Sequence, residues 1–239
     1  MLEAGIFSFR RMKHFAILFF PVAAMVGYFA TDVFLLRSLT TLSCMVISLI
    51  IGLRRPALKA VGWVAAAFAL SFAGDYVLGH WGASFEGFVG GVGLFLLAHL
   101  GYVIYSLRCG RLQWWLLALL VVVFGVYFAL LLRPAIGDAV TRVAVLAYIL
   151  VSCLSMAAAV GLGRPSVDYD RLARWLYIAG VASLLFSDLL IAQKRFLHDG
   201  TLYTLMMPTY FLSQILVTAA LIRLRCWLKG GKKGQMLGH

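Results

Sequence analysis

Eight stretches of mostly apolar residues follow one another along this chain, at about 14–31, 33–53, 60–79, 87–107, 113–132, 139–161, 172–192 and 202–224. Each comes close to the roughly 20 residues that a helix needs to cross about 30 Å of hydrocarbon. Lipid offers no partner to a bare backbone amide, so such a chain folds as helices or as a closed barrel. The stretches are continuously apolar and lack the two-residue alternation of a lipid-facing strand, which leaves helices. The predicted fold class is all-α: a polytopic membrane protein with eight transmembrane helices in one bundle. Composition agrees. Hydrophobic residues make up 63% and charged residues only 13%, against about a quarter charged in a soluble domain.

Breaks between the stretches fall at Arg54-Arg55-Pro56, Cys109-Gly110-Arg111, Arg133-Pro134 and from Gly161 to Arg174. The first stretch follows Arg10, Arg11 and Lys13 without a clear small-residue cleavage site, so it reads as a span rather than a signal peptide. Of the 21 Lys and Arg residues, all but Arg37, Arg133, Arg142, Lys194 and Arg195 fall on the N-terminal side of the alternating spans. The positive-inside bias places that side, and with it both termini, in the cytoplasm. The expected organisation is a cytoplasmic segment at 1–13, an eight-helix domain at 14–224 and a basic cytoplasmic tail at 225–239. A net charge of +12 then speaks of anionic lipid headgroups as partners, and no nucleic acid is needed to explain it. The expected location is a bacterial inner (cell) membrane. Cys44 and Cys153 fall within spans and Cys109 and Cys226 at cytoplasmic ends, so no disulfide is expected.

The informative residues are those that lipid penalises. An acid at the centre of a span costs about 2.5–3.5 kcal/mol on insertion scales. Among nine acidic residues, Asp75 and Asp188 are the two within spans. Each lies about five residues from the outer end of its helix, roughly 7 Å deep at about 1.5 Å per residue. Their small or hydroxyl neighbours, Ser71 and Gly74 beside one and Ser183 and Ser187 beside the other, leave room for close helix approach or for water. Two acids at one depth can share a cavity. The plainer alternative is that each reaches the interface or pairs with an arginine such as Arg37 or Arg142.

His99 lies midway along the fourth stretch, with Tyr102 three residues on and on the same face. The other histidines show no ligand spacing, so no metal is expected. Tyr203, Tyr210 and Gln214 form a polar stripe on the eighth stretch, and Tyr148, Ser152 and Ser155 a weaker one on the sixth. Gly87, Gly90, Gly91 and Gly93 open the fourth helix. No strand precedes them and no Lys-Ser/Thr follows, so they predict close helix packing rather than a phosphate loop.

Gly74-Asp75-x-x-Leu78, Ala98-His99-Leu100-x-Tyr102, Ser187-Asp188 through Ala192 and Phe196, and Thr209-Tyr210 with Gln214 occur in that order over residues 60–215. Together they resemble the lysoplasmalogenase (YhhN-like) family of eight-helix integral membrane hydrolases. Lys194 departs from that pattern, which has asparagine before the Arg195-Phe196 pair. The resemblance implies hydrolysis of the vinyl-ether bond of lysoplasmalogens, 1-alkenyl glycerophosphoethanolamine or glycerophosphocholine, to a fatty aldehyde and a glycerophospho-alcohol. It implies no cofactor or metal, and it places the catalytic pair on Asp75 and Asp188.

That chemistry suits the two acids. Protonating the β-carbon of a vinyl ether gives an oxocarbenium ion that water attacks. The reaction needs one protonated carboxyl and one carboxylate, as in a glycosidase, with a single proton held between them. His99, Tyr102, Tyr210, Gln214 and Ser187 are expected to bind substrate, orienting water or the glycerol phosphate. Lys194 and Arg195 are expected to meet the phosphate. A proton-coupled small-solute carrier is the competing reading, because buried acids also relay protons; Pro21 and Pro208 would be its helix breaks, though the halves show no repeat. An intramembrane aspartyl protease fits less well, since Gly-x-Gly-Asp and Pro-Ala-Leu are missing. A structural membrane protein is the bland option.

Overall fold

Continuous apolar runs with no period-two pattern satisfy their backbone locally, and every one of them forms a helix. A computed structural model describes residues 16–54, 59–163 and 170–224. The helices are α1 (Ala16–Thr31), α2 (Phe34–Arg54), α3 (Val61–Trp81), α4 (Phe85–Cys109), α5 (Trp114–Ala135), α6 (Ala139–Val160), α7 (Arg171–Leu197) and α8 (Tyr203–Ile222). The seven from α2 to α8 are long and apolar enough to cross a membrane, and α1 is shorter over the described residues. The 1–13 segment, the start of the first stretch, most of the Arg54-Arg55-Pro56 break, and the 225–239 tail with Cys226 lie outside the described residues.

Two boundaries differ from the sequence expectation, both at the same end of the bundle. Arg133-Pro134 does not end α5, which runs on to Ala135. Proline has no N–H to offer the preceding turn and crowds its carbonyl. The helix absorbs this by widening to a π turn over Phe128–Leu132. At the other boundary, α7 continues past Ala192 as a second π turn, Gln193–Leu197, and stops where His198 turns left-handed at φ 57°. Pro21 and Pro208 break nothing. Each sits in the first turn of an α-helical segment (Phe19–Thr31 and Met206–Ile222), where the missing N–H has no intrahelical partner to lose.

Six helices close a ring in the order α2, α3, α4, α6, α7, α8 and back to α2, while α1 lies against α2 and α8, and α5 against α6. The closest approaches are made by glycine. A Cβ on Gly101 of α4 would fall 2.8 Å from the Trp63 carbonyl oxygen of α3. One on Gly180 of α7 would fall 3.0 Å from the Val217 nitrogen of α8. Of the four glycines that open α4, Gly87 and Gly91 meet α3 in this way, whereas Gly90 barely touches it and Gly93 faces open space. Phe68, Tyr102, Tyr105, Tyr177 and Phe211 fill the centre of the ring. The three described cysteines are buried, and no disulfide joins them.

Polar ties mark the two ends. At one end Asp170 caps α7 through the Ala173 N–H at 2.6 Å and pairs with Arg223, just past α8, at 2.6 Å. There too the α4–α5 and α6–α7 connections meet in a bridge between Gly110 and Leu162. At the opposite end lie Arg37, Lys194 and the two π turns. This is the up-and-down alternation that the spacing of the stretches predicts.

Candidate active site

Asp75 projects from α3 into the ring, 1% exposed. Arg37, in the first turn of α2, donates to its Oδ1 at 2.5 Å, and the Tyr210 hydroxyl of α8 donates to its Oδ2 at 2.7 Å. Thr41, one turn after Arg37, lies 3.5 Å from the Tyr210 oxygen. Gly74 makes the arrangement compact: a Cβ there would fall 2.8 Å from the Phe95 ring, and Phe95 packs edge-on against Tyr210 with centroids 6.1 Å apart. Both carboxyl oxygens therefore face donors, which is the hydrogen-bonding pattern of a carboxylate. The arginine pairing weighed for Asp75 is realised with Arg37. Arg142 instead donates to the carbonyls of Ile136 and Gly137.

Asp188, on α7, takes a different partner. Its Oδ2 lies 2.9 Å from Nε2 of His99 on α4, and Nδ1 of His99 lies 3.0 Å from the Ser155 hydroxyl of α6. Ser155 spends its one hydrogen on the Ser152 carbonyl at 3.0 Å. It can then only accept from the ring, so Nδ1 carries a proton. The remaining contact, Nε2 to Oδ2, holds one further proton, either on the imidazole or on the carboxyl. Three helices thus converge on the His99 ring.

Asp75 and Asp188 make no hydrogen bond to each other; each belongs to its own cluster. The clusters adjoin at Phe95, which packs on Tyr210 and lines the same pocket as Asp188. Asp188 also stands in the wall of a pocket between α4, α5, α6 and α7, which Leu78 of α3 also lines and which is partly open to the outside. The walls are apolar, with Phe88, Phe95, Phe124, Tyr127, Tyr148 and Phe196 supplying the aromatic surface. Walls of this character suit a hydrocarbon chain. Asp75 is not among its lining residues and lies behind Phe95.

The other residues singled out from sequence divide between these places. Arg195 lies over the Phe88 ring at 4.7 Å, beside the pocket, and Lys194 over the Tyr203 ring at 5.0 Å. Ser187 donates to the Met206 carbonyl at 3.1 Å and so ties α7 to α8, outside the pocket wall. Tyr102 and Gln214 are wholly buried, one turn deeper than His99 and Tyr210, and neither lines the pocket. Among the described residues no three His, Cys, Asp or Glu side chains gather in a way that would hold a metal. Sequence reasoning gave no role to the α5 wall, Phe124 and Tyr127. In an apolar run a pocket-facing phenylalanine looks the same as a lipid-facing one.

Comparison with known proteins fits this geometry. The model of the YhhN family, which includes lysoplasmalogenases, matches residues 33–221. No curated protein and no solved structure matches the chain. The match begins just before α2, ends within the last turn of α8, and takes in both acid clusters and every wall of the pocket. On that breadth the chain belongs to the YhhN family, a family of membrane hydrolase type.

Proposed function

We propose that the protein hydrolyses the vinyl-ether bond of lysoplasmalogens within the membrane. The observation that carries this reading is the position of Asp188, a carboxyl 2.9 Å from Nε2 of His99 in the wall of an apolar pocket. An alkenyl chain lying among Phe88, Phe95 and Phe124 brings its β-carbon to that carboxyl. Asp188 gives its proton to the β-carbon, and the ether oxygen shares a lone pair to form the oxocarbenium ion. Water adds to the cationic carbon, and its released proton returns to the Asp188–His99 pair. The hemiacetal then collapses to a fatty aldehyde and a glycerophospho-alcohol. One water is consumed, and the protein ends in its starting protonation state.

Asp75 supplies the second carboxyl. Held as a carboxylate by Arg37 and Tyr210, it contributes negative field behind the Phe95 wall, where positive charge develops. Burial strengthens that effect. Arg195, over the Phe88 ring of the pocket wall, and its chain neighbour Lys194 would meet the lipid phosphate. Arginine offers a fork of donors suited to phosphate, and the lysine adds a point charge. The substrate is thus read by an apolar wall at one end and two cations at the other.

Incubating the purified protein with 1-alkenyl, 1-alkyl and 1-acyl lysolipids tests the proposal. Aldehyde release confined to the alkenyl lipid is the expected result, because only a vinyl ether opens by carbon protonation. Cleavage of the acyl lipid alone would point to ester attack and overturn it. Solute flux in sealed proteoliposomes without lipid cleavage would favour the carrier.

A further inference from the structure

One turn deeper than Tyr210 along α8, toward the end that holds Arg223, stands Gln214. It is 0% exposed, and neither its amide nitrogen nor its amide oxygen has a hydrogen-bond partner. A primary amide carries two donors and an oxygen with two lone pairs. Each buried polar group left unmatched costs about 1–3 kcal/mol. The Tyr102 hydroxyl of α4, the Ser71 hydroxyl of α3 and the Ser48 hydroxyl of α2 are equally buried and equally unmatched. Four helices of the ring contribute to this set, and α8 adds Ser213 beside Gln214.

Their placement follows a rule. Ser71 is one turn deeper than Asp75, Gln214 one turn deeper than Tyr210, and Tyr102 one turn deeper than His99, all displaced toward the same end. Cys44 joins the strands of this layer. It shares one buried cluster with Tyr102 and with Val217, the residue before Thr218. The Thr218 hydroxyl bonds within α8, to the backbone carbonyl of Gln214 at 2.8 Å. Ser48 follows Cys44 by one turn of α2. Phe68, Phe211 and Val217 are fully buried apolar members of the same core. A dry packing seam would fill these positions with leucine or alanine.

We propose that α2, α3, α4 and α8 form a buried water site centred on Gln214, beneath the two acid clusters, and that it delivers the water consumed in the reaction. The chemistry of the layer selects water over an ion. Asp75 and Arg37 neutralise one another, and what the layer offers is a mixture of donors and acceptors with no net charge. Buried waters typically make about three hydrogen bonds to groups of this kind. A separate supply is also what the pocket demands, since a lipid chain occupying the apolar space excludes water from that side. The site stands whatever the substrate; its role as supplier rests on the hydrolase reading.

X-ray hydroxyl-radical footprinting of the purified full chain in ¹⁸O-water tests it, because the radical forms from water and labels only side chains that a water touches. Tyr102 should take up ¹⁸O despite its burial. In Q214L the label on Tyr102 should fall several-fold while that on half-exposed Tyr203 stays constant. An unlabelled Tyr102 in the wild type overturns the site, and this needs no variant to fold. A label equally strong in a Q214L protein of wild-type melting temperature overturns it as well. Should Q214L not fold, S71A provides the same comparison. In the kinetic arm, Q214L should lower kcat on the alkenyl lipid several-fold and leave KM unchanged. A lost label with an unchanged kcat overturns delivery and keeps the site. A wild-type protein inactive on alkenyl lipids overturns the hydrolase reading and delivery with it, and the footprint still decides the site.

Discussion

The contact between Asp188 and His99 is oriented by Ser155, which holds the far nitrogen of the ring. Asp188→Asn keeps the shape of the side chain but has no acidic proton to give. It should lower kcat for aldehyde release by about 10²–10⁴-fold, the usual range for a lost general acid. Ser155→Ala removes only the contact that fixes the ring tautomer. It should cost about 1 kcal/mol, roughly fivefold in kcat, with KM unchanged. A larger loss from S155A than from D188N would put the reactive group elsewhere. Asp75 can be separated from its structural role by a double change. Arg37→Met alone leaves a buried carboxylate unpaired and should destabilise by about 3–5 kcal/mol, whereas the R37M/D75L double variant should regain most of that. Thermal melting in detergent reads the recovery. If the recovered protein also hydrolyses the alkenyl lipid at the wild-type rate, Asp75 serves only to pair with Arg37. Asp75, Asp188 and His99 were legible in the sequence because lipid penalises them and their spacing is set by one helix each. Their partners were not. Pairing Arg37 with Asp75 depends on how α2 packs on α3, and a serine such as Ser155 bonds its own helix so readily that its second contact leaves no trace in sequence.

Helices follow the apolar runs because each satisfies its own backbone, so α2 to α8 begin within about two residues of where hydropathy puts them. The exceptions are informative. Both unforeseen π turns, Phe128–Leu132 and Gln193–Leu197, occur where a long helix passes the outer part of the pocket. Leu132 and Phe196 from these turns line it. Hydropathy is blind to this, since a π turn changes the number of residues per turn and not their polarity. The pocket is a property of five helices together and is equally invisible in any one of them. Its length makes a prediction at this scale. Ile149 of α6 lies in the wall, and Ile149→Trp fills space otherwise open to the chain. Each methylene that no longer fits forfeits about 0.8 kcal/mol. The variant should therefore shift the preference toward shorter alkenyl chains, as read from kcat/KM across a chain-length series. Equal loss on all lengths would mean that the chain lies elsewhere.

At the scale of the molecule, the ring closes where α8 returns to α2, and the last two helices are clasped at one end by Asp170 and Arg223. Partial burial pushes the Asp170 carboxyl up, but the guanidinium of Arg223 and the N–H groups that open α7 outweigh it, so the net shift is downward from the ordinary 3.8. A carboxyl that binds its proton less tightly when folded stabilises the fold above its unfolded pKa. That contribution is complete above about pH 5 and fades as acid protonates the folded carboxyl. Asp170→Asn keeps an N-cap for α7 and removes the charge, which isolates the ion pair from the cap. The melting temperature of D170N should lie below the wild type at neutral pH by a modest margin, since a pair this exposed to solvent contributes about 1 kcal/mol or less. The two curves should draw together as the pH falls below 4, and the neutral-pH gap should shrink in high salt. A gap that persists in acid would assign the stabilisation to the cap, and the clasp would then owe nothing to charge.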